Sequence, residues 1–117
     1  MFAEALAAAS GHGSSRRRQE ARKAQQLCRQ VQRAVNLALA EGGAAVDDLF
    51  VESVMAAGGG PLTLHVVVPA GRPVGEALAA LRRDAPRLRT EVARAITRKR
   101  APDLTFVAVP GEGGHDE

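Results

Sequence analysis

The sequence predicts an α+β domain whose elements run in the order helix, strand, strand, helix, kink, helix, strand. Helices are indicated by three stretches in which apolar residues recur every three or four positions, and strands by three short runs rich in Val, Leu, Thr and Phe. The chain has 117 residues, of which 45% are hydrophobic, and this suits one modest core. We therefore expect a three-stranded sheet with the helices packed on one of its faces.

The N-terminal region is expected to hold a disordered tail over residues 1–15, followed by a long helix. The tail is Ala-rich and runs into Gly, His and Ser, and the helix can be capped by Ser14 or Ser15 and ended by Gly42. Helical spacing puts seven apolar side chains on one face: Ala24, Leu27, Cys28, Val31, Val35, Ala38 and Leu39. At about 100° per residue, four arginines fall within about 60° of one another on the opposite side: Arg18, Arg22, Arg29 and Arg33.

Two strands are predicted in the middle of the chain. The first covers about residues 49–55, between an acidic pair at 47–48 and a Gly-Gly-Gly-Pro turn at 58–61. The second, Leu62–Val68, alternates in polarity in the way that is typical of a strand with one buried face. We expect the other face of the sheet to stay at least partly open.

The second half of the chain predicts two helices separated by a kink. Residues 74–83 form the shorter helix, and Asp84, Ala85 and Pro86 form the kink. Asp84 can cap the helix that follows, and Pro86 supplies a preset φ that suits its first turn. Helical spacing turns eight apolar side chains of the two helices inward: Val74, Ala77, Leu78, Leu81, Leu88, Val92, Ala95 and Ile96.

A third strand and an acidic tail complete the chain. Pro102 breaks the helical pattern, and the run LTFVAV from Leu104 is rich in β-formers. Residues 110–117 read PGEGGHDE and are expected to form a flexible, acidic tail. The folded domain is therefore predicted to span residues 16–109.

The charge distribution points to a polyanionic partner. All 16 basic residues lie between Arg16 and Arg100, together with only eight acidic residues, which leaves this region with a net charge of +8. Arginine outnumbers lysine 14 to 2, and its planar guanidinium binds phosphate through two parallel hydrogen bonds. The chain has no Trp or Tyr, so stacking on single-stranded bases is poorly supplied. These observations favour folded RNA, recognised through its backbone and shape.

The sequence lacks the motifs of catalysis and metal binding. Cys28 falls on the apolar face of the first helix, where a small buried thiol is the ordinary outcome, and His65 is centred in a strand. There is no zinc-type Cys/His spacing, no Walker loop and no dinucleotide-binding glycine pattern. A single cysteine and the lack of a secretory signal or a long apolar run predict a cytoplasmic protein. We expect a non-enzyme with no cofactor, metal, membrane or small-molecule substrate.

Residues 84–106 resemble the C-terminal half of bacterial ribosome-binding factor A. That family has an Ala-x-Gly kink, a helix with an early Arg and a basic end, and then Pro-[Glu/Asp]-Leu-Thr-Phe. The counterparts here are Asp84-Ala85-Pro86, Arg89, Lys99 and Pro102-Asp103-Leu104-Thr105-Phe106. The resemblance spans about residues 16–109, and family members also open with an Arg-rich helix. Pro86 departs from the pattern, because it stands where the family has Gly.

The resemblance implies a type II K-homology (KH) fold, which has this order of elements. It also implies a protein that binds the small (30S) ribosomal subunit and assists late maturation of the 16S rRNA, and we expect it to act as a monomer. Eleven basic residues are candidates for rRNA contact: Arg18, Arg22, Arg29, Arg33, Arg82, Arg83, Arg87, Arg89, Arg94, Arg98 and Lys99. The alternative is a small protein–protein adaptor or dimeric regulator that uses the open sheet face.

Overall fold

Two helices and three strands make up the fold in a computed structural model that describes residues 2–56, 61–96 and 102–111, with residues 2–15 described by their backbone alone. In chain order these elements are α1 (Phe2–Ala40), β1 (Phe50–Ala56), β2 (Leu62–Val68), α2 (Val74–Ile96) and β3 (Leu104–Pro110). Both helices bury their apolar faces against the same side of the sheet. The predicted α+β architecture is therefore confirmed.

β2 is the central strand of the sheet. It pairs antiparallel with β1 and parallel with β3, and the parallel pair is joined by α2 in the usual crossover. β2 also occupies the residues predicted for it, and its side chains alternate between the two faces. Toward the helices the buried residues are Leu62, Leu64, Val66 and Val68, and on the open face the half-buried residues are Thr63, His65 and Val67.

Helix α1 is fastened to the edge strand β1 by side-chain amides. Asn36 Nδ2 donates to the Val51 carbonyl at 3.0 Å, and the Val51 N–H donates to Asn36 Oδ1 at 2.7 Å. Gln32 Nε2 donates to the carbonyls of Val51 and Glu52, each at 3.2 Å. The register of β1 shifts between Val51 and Ser53, which marks a β-bulge. The two amides therefore form hydrogen bonds with backbone groups of this edge strand at the bulge.

The start of α1 differs from the expectation of a disordered tail over residues 1–15. The helix begins at Phe2 rather than near Ser14 or Ser15. Alanine has the highest helix propensity, and the first residues of the chain are rich in it, so the Ala-rich segment extends the helix despite the cost of Gly11 and Gly13. The helix ends at Ala40, as Gly42 and its neighbour predict.

α2 is one continuous helix, so the break expected at Asp84, Ala85 and Pro86 is not present. Pro86 lies in the helix interior, where its ring removes one backbone hydrogen bond. The buried residues on both sides of it share one face of the helix: Ala77, Ala80, Leu81, Leu88, Val92 and Ile96. Burial of this continuous apolar stripe outweighs the roughly 3 kcal/mol that an interior proline costs. Asp84 is therefore an interior residue and not a helix cap.

The core is an apolar cluster drawn from all the elements that face the helix side of the sheet. Its largest fully buried side chains are Leu39, Leu64, Leu81, Leu88, Val31, Val35, Val46, Val51, Val66 and Val92. The prediction that Val74 and Ala95 face inward is wrong. Ala95 is exposed, and Val74, at the start of α2, is 46% exposed. The turn at residues 58–60, Arg98, Lys99 and residues 112–117 lie outside the described residues.

Candidate RNA interface

A row of exposed arginines runs along the side of α1 opposite its buried face, and one of them, Arg29, also lines the groove between α1 and β1. We call Arg18, Arg22, Arg29 and Arg33 the α1 stripe. All four are exposed, and within the described parts of the chain none of them forms an ion pair. The side chains opposite them, such as Val31 and Val35, are fully buried, so packing of the core fixes the stripe on the surface. The structure therefore places this predicted group together, as its spacing indicates.

The arginines of α2 are exposed but partly neutralised. Arg89 lies 3.3 Å from Asp103, and Arg94 lies 3.4 Å from Glu91, both as solvent-exposed pairs that contribute little to stability. Arg82 and Arg83 are exposed and have no ion-pair partner among the described residues. These four side chains remain available to an external anion, because exposed ion pairs exchange readily with water and salt.

Arg87 differs from its predicted neighbours because its guanidinium is occupied within the fold. Nε and Nη2 donate to the two carboxylate oxygens of Asp84 at 2.9 and 2.7 Å, and Nη2 also donates to the Ala38 carbonyl at 2.7 Å. The hydrogen bond with Asp84 raises the pKa of Arg87 above its ordinary value. The Ala38 carbonyl lies in the last turn of α1, so Arg87 caps one helix from the other.

Gly42 makes room for this contact. A Cβ atom at Gly42 would lie 2.5 Å from Arg87 Nη2 and 2.5 Å from Val46 Cγ2. Gly42 is therefore needed for the close approach of the guanidinium, whereas the positive φ of the turn, 88°, belongs to Gly43. The turn is predictable from the glycines, but the hydrogen bond from Arg87 to the Ala38 carbonyl is not, because it joins residues 49 positions apart.

On the surface, the α1 stripe and Arg94 of α2 are separated by other side chains. Arg94 lines a shallow depression between the helices together with Leu37, Glu41 and Glu91. Leu37 is 61% exposed, so an apolar and acidic strip separates the two groups of cations. The α1 stripe is thus the more uniform of the two positive surfaces.

The open face of the sheet is uncharged. In the paired register it carries nine side chains: Phe50, Ser53, Met55, Thr63, His65, Val67, Thr105, Val107 and Val109. Phe50 and Met55 are 52% and 59% exposed, and Ser53 Oγ lies 3.2 Å from His65 Nδ1. Because these nine side chains include no Lys or Arg, this face is unsuited to phosphate, and its two rings, Phe50 and His65, are few for stacking on successive bases.

Cys28 and His65, the two residues considered as a nucleophile and a base, lie apart in the described structure. Burial raises the pKa of the half-buried Cys28 thiol, so its reactive thiolate is disfavoured at neutral pH. Cys28 packs on the helix side of the sheet, whereas His65 lies on the open face, so the two do not form a nucleophile–base pair. Within the described ranges there is no cluster of three metal-ligating side chains, and no helix is long and apolar enough to cross a membrane.

Three further cations of α1 were not among the sequence candidates. Arg16, Arg17 and Lys23 are exposed and have no ion-pair partner within the described residues. They were missed because only the one face of the helix opposite the core was considered. The signal that could have found them is the density of basic residues over 16–23, whatever the face.

Comparison with known proteins finds similarity among solved structures. No protein-family model and no curated protein sequence matches the chain. The crystal structure of ribosome-binding factor A from Thermus thermophilus is 31% identical, with a TM-score of 0.62, over 73% of this chain and 94% of that one. A homology model of the Thermus thermophilus factor, fitted into the cryo-EM map of its complex with the 30S subunit, is 30% identical, with a TM-score of 0.54, over 72% and 90% of the two chains.

Proposed function

Because this chain belongs to the ribosome-binding factor A family, we propose that it binds the small ribosomal subunit and assists late maturation of the 16S rRNA. The Thermus thermophilus factor fitted into a 30S complex supports this proposal. We further propose that the protein acts in the cytoplasm as a monomer and without catalysis, through contacts with rRNA.

The α1 stripe is the observation that carries the proposal. Its four arginines are exposed, free of ion pairs in the described structure and directed away from the core. Guanidinium groups bind phosphate oxygens in pairs, and such contacts release counterions from RNA. Shape and backbone recognition fits a chain with three Phe and no Trp or Tyr. Supplementary contacts are proposed for Arg82, Arg83, Arg89, Arg94, Arg98 and Lys99, of which the last two lie outside the described residues.

The test compares subunit affinity against salt for two variants of equal net charge. Arg29→Gln with Arg33→Gln removes two cations from the α1 stripe, whereas Phe50→Glu with Thr105→Glu makes the same change of charge far from the stripe, at exposed positions of the open sheet face. Each lost phosphate contact should flatten the log–log salt dependence by about 0.7 to 0.9, so the stripe variant should flatten by about 1.4 to 1.8. The Phe50/Thr105 variant should run parallel to wild type. If the salt dependence of subunit affinity is the same for the two variants, the α1 stripe is a solvated face that does not bind phosphate.

The open sheet face favours a second candidate function, as a protein–protein adaptor or dimeric regulator. Phe50 and Met55 are more than half exposed on an uncharged face. If this candidate holds, the protein should be excluded from all ribosomal fractions in a sucrose gradient. Sedimentation velocity should then find a dimer for wild type and a monomer for Phe50→Ser with Met55→Ser. Co-migration of wild type with small subunits supports the first function instead.

A further inference from the structure

Helix α1 extends well past the sheet that supports it. The groove between α1 and β1 is lined at its end by Ala24, Met55 and Ala56, where β1 stops. Toward the N-terminus from there, every side chain from residue 16 to residue 23 is exposed. We call residues 16–23 the arm. Because a helix rises about 1.5 Å per residue, the arm alone reaches about 12 Å beyond the body of the domain.

The arm is strongly and uniformly basic. Its one acidic residue is Glu20, and its five cations are Arg16, Arg17, Arg18, Arg22 and Lys23. In the described structure none of these cations has an ion-pair partner, so their charge is uncompensated. Like charges four residues apart, as at Arg18 and Arg22, oppose helix formation. The arm therefore gains from an external anion that neutralises it.

The cations of the arm surround the helix instead of lying on one face. Taking Arg16 as the origin and about 100° per residue, Arg17 lies near 100°, Arg18 near 200°, Arg22 near 240° and Lys23 near 340°. Arg18 and Arg22 continue the α1 stripe, whereas Arg17 and Lys23 point to the opposite side. A flat phosphate surface reaches one of these sides and leaves the other in solvent.

We propose that the arm lies in a groove between two phosphate backbones of folded rRNA, so that its two sides contact phosphates at the same time. This inference rests on the proposed function and goes further, since it names the shape of the RNA that the arm binds. Every side chain of the arm is exposed in the described structure, so both sides are open to a ligand. A helix is about 10 to 12 Å across. The major groove of A-form RNA is narrow and its minor groove is shallow, so the enclosing groove is a cleft between two RNA helices.

Two variants that remove equal charge from opposite sides of the arm test this inference. Arg18→Gln with Arg22→Gln removes both cations of the stripe side of the arm, and Arg17→Gln with Lys23→Gln removes two of the three cations of the opposite side, where Arg16 stays in place. The full-length chain is titrated with purified small subunits over a range of salt. In an enclosing groove both variants should weaken binding and flatten the log–log salt dependence by about 1.4 to 1.8. Circular dichroism and thermal unfolding should match wild type, because all four side chains are exposed.

A salt dependence that changes only in the Arg18/Arg22 variant would overturn the groove, since it means that the arm rests on one surface. Unchanged binding in both variants would overturn it as well, because it would show that the arm does not contact the subunit. The proposed function would remain, with binding through Arg29 and Arg33. A wild-type chain that does not bind the subunit would remove the proposed function itself, which is a distinguishable result.

Discussion

Arg87 joins the two helices through hydrogen bonds that only a guanidinium makes at once. It holds both oxygens of Asp84 on its own helix and the Ala38 carbonyl on α1. The pKa of Arg87 is higher in the folded state than in the unfolded chain. The stabilisation is therefore fully present below the unfolded-state pKa, which includes every ordinary pH, and is lost only as pH rises through the folded-state pKa. The guanidinium of Arg87 is thus engaged by Asp84 and Ala38 within the fold, and it is less available to a ligand than the exposed arginines.

Replacing Arg87 by Ala should lower the free energy of unfolding by about 1 to 2 kcal/mol, because charged hydrogen bonds are lost at a half-exposed site. Arg94→Ala is the matched control, since its side chain is 73% exposed and its pair with Glu91 is long. The control should change stability by less than about 0.5 kcal/mol. Chemical denaturation measures both, and equal effects would refute the bridging role of Arg87.

Cys28 should react slowly with alkylating reagents in the folded protein at neutral pH. Burial raises its pKa, so the thiolate fraction is lower than in the unfolded chain. A raised pKa also means that stability is fully present below the unfolded thiol value and declines as pH rises through the folded one. Alkylation at about pH 8, close to the ordinary thiol pKa, is measured with and without denaturant. A faster reaction in the folded state would reopen the question of a catalytic thiol.

At the element scale, two amides attach α1 to β1, and Asn36 makes shorter hydrogen bonds than Gln32. Asn36 satisfies the N–H and the C=O of Val51 at the bulge, where no neighbouring strand of the described sheet pairs the edge. Asn36→Ala should therefore destabilise the fold by about 1 to 3 kcal/mol, because the Val51 N–H loses its partner while the Val51 carbonyl keeps only its hydrogen bond from Gln32. Gln25→Ala, an exposed amide of the same helix, should be nearly neutral. Thermal unfolding compares them, and a neutral Asn36→Ala would show that water replaces the amide.

Pro86→Ala should stabilise the protein by about 1 to 2 kcal/mol. Alanine restores the backbone hydrogen bond from residue 86 to the Arg82 carbonyl, and this gain is reduced by the greater freedom of the unfolded chain. The Thr90 hydroxyl, which donates to the Pro86 carbonyl at 3.0 Å, should be unaffected. Denaturant unfolding gives the sign. A loss of stability would mean that the proline ring shapes α2 in a way that the buried face requires.

Sequence patterns predict elements that carry their own periodicity and miss contacts between distant ones. The ends of β2 are predictable because Leu62, Leu64, Val66 and Val68 alternate without interruption. The continuity of α2 is missed because the local rule for proline is applied at Pro86 before the apolar stripe is followed across it. Asn36 and Arg87 look like solvent-facing polar residues, since their partners are backbone groups far along the chain. The α1 stripe is recoverable because opposite faces of one helix are fixed by spacing.

At the scale of the whole molecule, folding and binding should respond differently to salt. The Arg89–Asp103 and Arg94–Glu91 ion pairs are surface contacts, and the half-buried Arg87–Asp84 pair is screened less by salt, so a roughly tenfold rise in salt should change the free energy of unfolding by less than about 1 kcal/mol. If the four arginines of the α1 stripe each bind a phosphate, the same rise should weaken subunit binding about a thousandfold. Denaturation and binding titrations in matched buffers measure the two. If stability and affinity fall together as salt rises, the loss of binding results from unfolding of the protein and not from lost phosphate contacts.

The parallel pairing of β2 with β3 bears on how the chain folds as it is made. Leu62 pairs with Leu104, so the two strands meet only after all of α2 has been synthesised between them. β1 and β2 form a local antiparallel pair early, whereas closing the crossover loop is slow because it joins residues far apart in sequence. Until β3 emerges, the Val-rich central strand presents an unpaired edge to other chains. Aggregation of the nascent chain should therefore be governed by how soon residues 104–110 leave the exit tunnel.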